Sequence, residues 1–380
     1  MKTSYLFPVL FFCVICFLPS CENDKVVTHA EYYSPDEYQI LRATLELPAE
    51  PYAYGRLGFG SSNKTDAIGT LGRVLFYDKN LSSDNSVSCG SCHQQHLGFA
   101  DDDAFSKGVH NRITARNTLS LGSFRSFGEY SEDPQTNLFW DNRVKSLHDQ
   151  MIQTIRNPNE MGLEMKDVVA KIKDLDYYKI LAQKAFFDEN LNEELVLFAI
   201  ENFITSIQSE TSKFDIVASH NSIGFTAAPW SEFNEQENMG KRLFMDNCVS
   251  CHNQGLSVFT NDFLRSANNG LDLEYADKGE GEVNPSPDAL AIFKIPGLRN
   301  IALTAPYMHD GRFGSLEQVL DFYSSGIQDH PNLNPLLKSE DGHAKKFNFT
   351  TGEKDALIQF LNTLTDNTMT SEVKWSNPFL

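Results

Sequence analysis

The sequence predicts a mostly α-helical chain of two similar units in tandem, with extra helices inserted and irregular loops. Three observations carry that expectation. The pentapeptide Cys-x-x-Cys-His occurs twice, as Cys89-Gly-Ser-Cys92-His93 and Cys248-Val-Ser-Cys251-His252. Each copy follows a related run, Gly72-Arg-Val-Leu-Phe76 and Gly240-Lys-Arg-Leu-Phe244, so the chain repeats itself internally. The stretch between the copies carries apolar residues at helical spacing, and sustained strand alternation is absent.

Residues 1–20 read as a signal peptide. Lys2 gives a positive start, and Leu6 to Leu18 form an apolar core too short to span a bilayer comfortably. The run Leu18-Pro19-Ser20-Cys21 resembles a bacterial lipobox, so Cys21 is expected to be lipidated; an ordinary cleavage site with a free Cys21 is the other reading. The expected location is the periplasm or cell envelope, with membrane contact only through that lipid. Residues 22–65 form an extension, in which Pro48, Pro51, Gly55, Gly58 and Gly60 mark an irregular arm.

The first unit covers residues 66–215. Ile68, Leu71, Val74 and Leu75 have helical spacing, and Tyr77-Asp-Lys-Asn-Leu-Ser82 breaks that helix before the first motif. Further helices are expected over Val144–Ile155, Lys166–Ile172, Tyr177–Phe187 and Glu193–Ser209. The last carries Leu197, Ile200, Phe203, Ile204 and Ile207 and should pack a core face. Gly224 and Pro229 place a linker at 216–230. The second unit, 231–366, opens with a helix from Ser231, as N-cap, to Phe244 and closes with one over Glu353–Leu364. Residues 367–380 form a tail.

Cys-x-x-Cys-His is an attachment site for c-type haem. Two thiols bond the porphyrin edge, and the adjoining His supplies an axial nitrogen. A zinc or redox use of a lone Cys-x-x-Cys is the competing reading, and a second copy in an exported chain disfavours it. The chain has seven cysteines. Cys89, Cys92, Cys248 and Cys251 serve the two motifs, and Cys13, Cys16 and Cys21 fall in the N-terminal segment, so none is spare for a disulfide, a zinc site or a catalytic thiolate. The formal net charge of −19 argues against a nucleic-acid partner. It suits a basic electron donor steered by charge, and equally it suits solubility.

Small class I cytochrome c domains begin with such a helix and motif, the first helix crossing the last. Beyond that, the chain resembles the bacterial di-haem cytochrome c peroxidase family, which includes the methylamine-utilisation protein MauG. The matching stretches run from about residue 68 to 365 and keep their order and spacing. They are Leu71–Ser82, Arg116-Asn117-Thr118, Phe139-Trp-Asp-Asn-Arg143, Asn159-Glu-Met161, Ser212-Lys-Phe-Asp215, Leu298-Arg-Asn300 and Leu303-Thr-Ala-Pro-Tyr-Met-His-Asp-Gly311.

The resemblance implies two covalently bound c-type haems. His93 is then the proximal ligand of the iron where peroxide reacts, and His252 that of a low-spin electron-transfer iron. Glu160 matches a distal acid, Gln150 a second distal polar group, and Trp140 a tryptophan between the haems. Read without the family, Glu160 is a solvated turn residue and Trp140 a core anchor. Asn117, Thr304 and Pro306 match calcium ligands, the first by side chain and the others by carbonyl, an oxygen set that suits a hard cation.

The sixth ligands set the chemistry. Opposite His252 the family's peroxidases carry a Met, whereas Tyr323 stands there in this chain, as a Tyr does in MauG; Met308 is the fallback. Met raises a haem potential, and a tyrosinate stabilises the oxidised metal. On the first iron, His110 is a candidate distal ligand if its loop shifts by one residue; otherwise that iron stays open to peroxide. The implied activity is reduction of hydrogen peroxide to water with electrons from a small cytochrome or cupredoxin. The alternative is a MauG-like oxidase that stores oxidising equivalents across both haems and acts on an organic or protein substrate. A homodimer is compatible with either.

Overall fold

The structure is a computed structural model that describes residues 32–54, 63–122, 138–221, 226–252 and 266–380. The expected leader with Cys21, and Gly55, Gly58, Gly60 and Gly224, lie outside the described residues. Among the described residues no helix is long and apolar enough to cross a membrane.

The chain is mostly α, as expected. The helices used below are α1 Pro35–Arg42, α2 Asn63–Tyr77, α3 Leu147–Arg156, α4 Met165–Ile172, α5 Asp176–Phe186 and α6 Glu193–Ser206. They are followed by α7 Lys213–His220, α8 Glu235–Asn247, α9 Leu316–Asp321, α10 Thr351–Asn362 and α11 Asn367–Ser371. Helix α9 runs on into a wider π turn, Phe322–Gly326. Among the described residues β1 Ser266–Ala267 pairs antiparallel with β2 Phe293–Lys294, in the register Ser266 to Lys294.

Two cores follow from the repeat. Helices α2 and α6 pack the first, and α8 and α10 the second. Each crossing rests on a glycine. A Cβ on Gly72 would stand 1.9 Å from the Ala199 carbonyl oxygen, and one on Gly240 would stand 1.9 Å from that of Ala356. Beside these contacts Phe76 meets Phe203 and Phe244 meets Phe360, both at 5.1 Å between ring centres. The shared run Gly-x-x-Leu-Phe is therefore a helix-crossing device: the glycine lets backbones touch, and the Phe fills the space one turn on.

Four expectations change in detail. The arm is ordered over α1, where Ser34 and Glu37 form a reciprocal capping box, and Tyr33, Leu41, Leu45 and Leu47 join the first core. Helix α8 starts after Asn234, not Ser231. Asn234 Oδ1 accepts from the Glu237 N–H and Glu237 returns the bond to the Asn234 N–H, both at 2.8 Å; Ser231 has no acid three residues on. The expected linker, 216–230, overlaps the end of α7, and Val217 there packs beside Phe214 in the second core. The tail folds back: Met369, Trp375 and Phe379 pack on the first core. Buried Arg73 clamps that tail through Ser376, its Nε donating to the carbonyl at 2.6 Å.

Candidate functional site

Each Cys-x-x-Cys-His opens onto a cavity. The first, about 730 Å³, is walled by Cys89, Cys92, His93, Trp140, Gln150 and Glu160 among others. Cys89 and Cys92 form a single helical turn, and both thiols are free. Burial pushes Cys89 up to about 12 and Cys92 to about 11, so both stay protonated in the bare polypeptide. His93 Nδ1 lies 3.0 Å from the Phe99 carbonyl oxygen. A carbonyl only accepts, so Nδ1 carries the proton and Nε2 keeps its lone pair for a metal. Desolvation lowers the His93 pKa and keeps the ring neutral.

Gln150 projects from α3 and Glu160 from the turn that follows it. That turn is built on Asn157, whose carbonyl accepts from the N–H groups of Glu160 and Gly162. The Glu160 carbonyl in turn accepts from Val109 N–H at 2.9 Å. Gly108 permits this approach, since a Cβ there would lie 2.1 Å from the Asn159 oxygen. Burial raises the Glu160 carboxyl above its ordinary value; bonds from Asn157 and Thr154 oppose the rise. Gln150 Oε1 is buried with no hydrogen-bond partner. An orphaned acceptor and a carboxyl whose pKa burial raises, on one wall, suit a site that handles protons.

His110 does not reach this cavity. Its backbone N–H donates to Asp84 at 2.7 Å, its ring Nδ1 sits 3.3 Å from the same carboxylate, and the side chain is 56% exposed. The loop turns outward there because His110 and Asn111 both take positive φ. The distal-ligand expectation for His110 therefore finds no geometric support.

The second cavity, about 230 Å³, is walled by Cys248, Cys251, His252, Met308 and Tyr323 among others. His252 Nδ1 faces the Pro296 carbonyl oxygen at 3.2 Å, repeating the arrangement at His93. Tyr323 stands in the π turn, and burial pushes its hydroxyl up to about 12. Met308 Sδ lies 3.6 Å from Asn269 Nδ2, and Asn269 also bonds the Tyr323 hydroxyl. Both candidate sixth ligands thus line one cavity. Asn117, Thr304 and Pro306 line it too; the Asn117 amide lies near the carbonyls of Asp103 and Ala104.

Trp140 lines both cavities. Its indole N–H donates to the Asn117 carbonyl at 2.8 Å, and its own carbonyl accepts from Lys294 N–H at 2.7 Å. Around it Arg116 binds Asp277 through two nitrogens and Asp141 through a third, while the Arg143 guanidinium lies 3.4 Å from the centre of the Phe139 ring. Sequence reasoning found the side chains and missed Asn269 and the carbonyls of Phe99 and Pro296. A backbone acceptor has no residue signature. The free thiol pairs, the Nε2 lone pairs and the apolar walls fit two covalently attached haems.

Comparison with known proteins gives relatives over most of the chain. Residues 66–222 match the model of the family described as di-haem cytochrome c peroxidase. A methylamine utilization protein MauG from Methylorubrum extorquens is 32% identical over 77% of this chain and 77% of its own. Cytochrome c551 peroxidase from Nitrosomonas europaea is 29% identical over 66% of this chain and 71% of its own. A crystal structure of a MauG-like protein associated with microbial copper homeostasis superposes with TM-score 0.68 at 29% identity, covering 88% of this chain and 97% of that one.

Proposed function

The chain belongs to the di-haem cytochrome c peroxidase family, which includes MauG, and from that premise we propose that it reduces hydrogen peroxide to water with electrons from a small cytochrome or cupredoxin. As a member it is a di-haem oxidoreductase with two c-type haems. The observation that supports the peroxidase reading is the pairing of Glu160 with the orphaned Gln150 Oε1 on the wall of the His93 cavity.

A haem held through Cys89, Cys92 and His93 would bind peroxide and supply the redox chemistry that breaks its O–O bond. The polypeptide supplies the proton chemistry. Glu160 would carry a proton from one peroxide oxygen to the other, so that the protonated oxygen can depart as water. Burial raises the Glu160 pKa, which favours the protonated form that must give the proton back. Gln150 Oε1 accepts from the peroxide O–H and orients it. Trp140 bridges the cavities, so its π-system carries electrons between them. Cys89, Cys92, Cys248 and Cys251 fix the two porphyrins, and the Phe99 and Pro296 carbonyls hold both imidazoles in the tautomer that leaves Nε2 as ligand.

A second reading, a MauG-like oxidase of an organic or protein substrate, is favoured by Tyr323 in the wall of the His252 cavity. An anionic oxygen ligand stabilises oxidised iron and disfavours uptake of electrons from a cytochrome. Steady-state peroxide consumption by the holoprotein with a reduced small cytochrome tests the choice. Rapid turnover supports the peroxidase; peroxide reactivity without cytochrome turnover supports the oxidase.

Calcium held by the Asn117 side-chain oxygen and the carbonyls of Thr304 and Pro306 belongs to the same proposal, because all three line one cavity beside Trp140. Calcium content of the chelator-treated holoprotein tests it. Export and lipidation at Cys21 are likewise proposed, and the mass of the N-terminal peptide tests them.

A further inference from the structure

The acceptors behind the two proximal histidines, Phe99 for His93 and Pro296 for His252, belong to loops that meet at one side chain. Gly98 precedes Phe99, and a Cβ on it would stand 3.4 Å from the Cβ of Asn300. Asn300 follows Pro296 by four residues and closes the same loop. It is fully buried and left-handed, with φ +61°.

Its side chain is held from both directions. Oδ1 accepts from the Asp366 N–H at 2.8 Å, and Nδ2 approaches Met369 Sδ at 3.8 Å. The Asn300 N–H donates to the Leu364 carbonyl at 3.0 Å. The methyl of Met369 reaches Gly98, lying 3.8 Å from where a Cβ would sit. Gln95, two residues after His93, donates to the carbonyls of Met369 and Glu372 at 3.0 and 2.9 Å. Helix α11 is thus clamped between the segment after His93 and the segment after Pro296.

We propose that Asn300 is a positioning residue for both proximal histidines, joining the loop that holds the His93 hydrogen bond to the loop that holds the His252 hydrogen bond. Resting on the di-haem reading, this goes beyond it: the two metal environments share a proximal support in addition to Trp140 between the cavities. A shift of either loop is passed to the other through Asn300, because a packed buried contact of this kind moves as a unit. The orientation and hydrogen bond of a ligating imidazole set its donor strength, so a change at Asn300 alters both metals.

The test uses the holoprotein and two variants. Asn300→Gly keeps the left-handed backbone and removes the side chain; Met369→Leu keeps the volume and removes the sulfur. Low-temperature electron paramagnetic resonance spectra and spectroelectrochemical titrations are recorded beside thermal unfolding. In Asn300→Gly the spectra and midpoint potentials of both haems shift, and in Met369→Leu both shift by less. Lower melting temperatures with both spectra and both potentials unchanged overturn the inference, as does a shift confined to one haem in both variants. If Asn300→Gly fails to fold, Met369→Leu decides by the same criterion. Native protein with fewer than two haems overturns the di-haem reading itself, before any variant is compared.

Discussion

Asn157 donates its side-chain N–H to Glu160 Oε1 at 2.6 Å, and this short bond aims a carboxyl into the His93 cavity while burial raises its pKa. Glu160→Gln keeps the shape and loses the proton carrier. The rate of reaction with hydrogen peroxide should fall about 10²–10⁴-fold, the usual weight of a general acid–base group. In the native protein the rate should drop with falling pH, along a limb whose midpoint lies above the ordinary glutamate value. The variant should lack that limb. The raised pKa also favours the fold at low pH, a contribution lost as pH climbs through the raised value. Rapid-mixing kinetics across pH check this; an unchanged limb in the variant rejects the role.

Tyr323 and Met308 both line the second cavity, and both contact Asn269. With Tyr323 as the ligand, Tyr323→Met should raise the midpoint potential of that haem and speed turnover with a reduced cytochrome. Spectroelectrochemistry reads the first effect and steady-state assay the second. If neither changes, Tyr323 is a packing residue.

Trp140→Phe removes the donor to the Asn117 carbonyl and the extended ring between the cavities. Electron transfer between the haems should slow, seen by absorbance after mixing the half-reduced protein with peroxide. The unpaired carbonyl should also cost about 1–3 kcal/mol of stability. A stability loss with unchanged transfer would leave Trp140 as an anchor only.

Alanine at Gly72 or Gly240 places a methyl 1.9 Å from a backbone oxygen across a helix crossing. Each substitution should destabilise by roughly 1–3 kcal/mol or more, because the helices must separate to admit it. Thermal unfolding of the haem-loaded protein measures the loss. The two variants should behave alike, since the crossings repeat.

The two motifs and the run Gly-x-x-Leu-Phe were legible because their chemistry is local. Attachment and ligation fit in five residues, and a glycine followed by Phe at one helical turn describes a crossing. Helical periodicity gave α2 to α6 within a few residues for the same reason. The Ser231 cap failed because capping is decided by the reciprocal partner three residues on, and that partner serves Asn234. The packing of Val217 in the linker and of Met369 and Trp375 in the tail was not legible, because their hydrophobic partners are distant in sequence.

By itself the sequence determined that two haem motifs lie in two helical units, because covalent attachment is written in adjacent residues. Only the tertiary structure decided which side chains face each cavity: it turned His110 outward, brought Met308 and Tyr323 to one wall, and set Trp140 between the cavities. It also gave each histidine a backbone carbonyl and joined those carbonyls' loops through Asn300. Backbone acceptors and long-range contacts depend on chain packing, and packing has no single-residue signature.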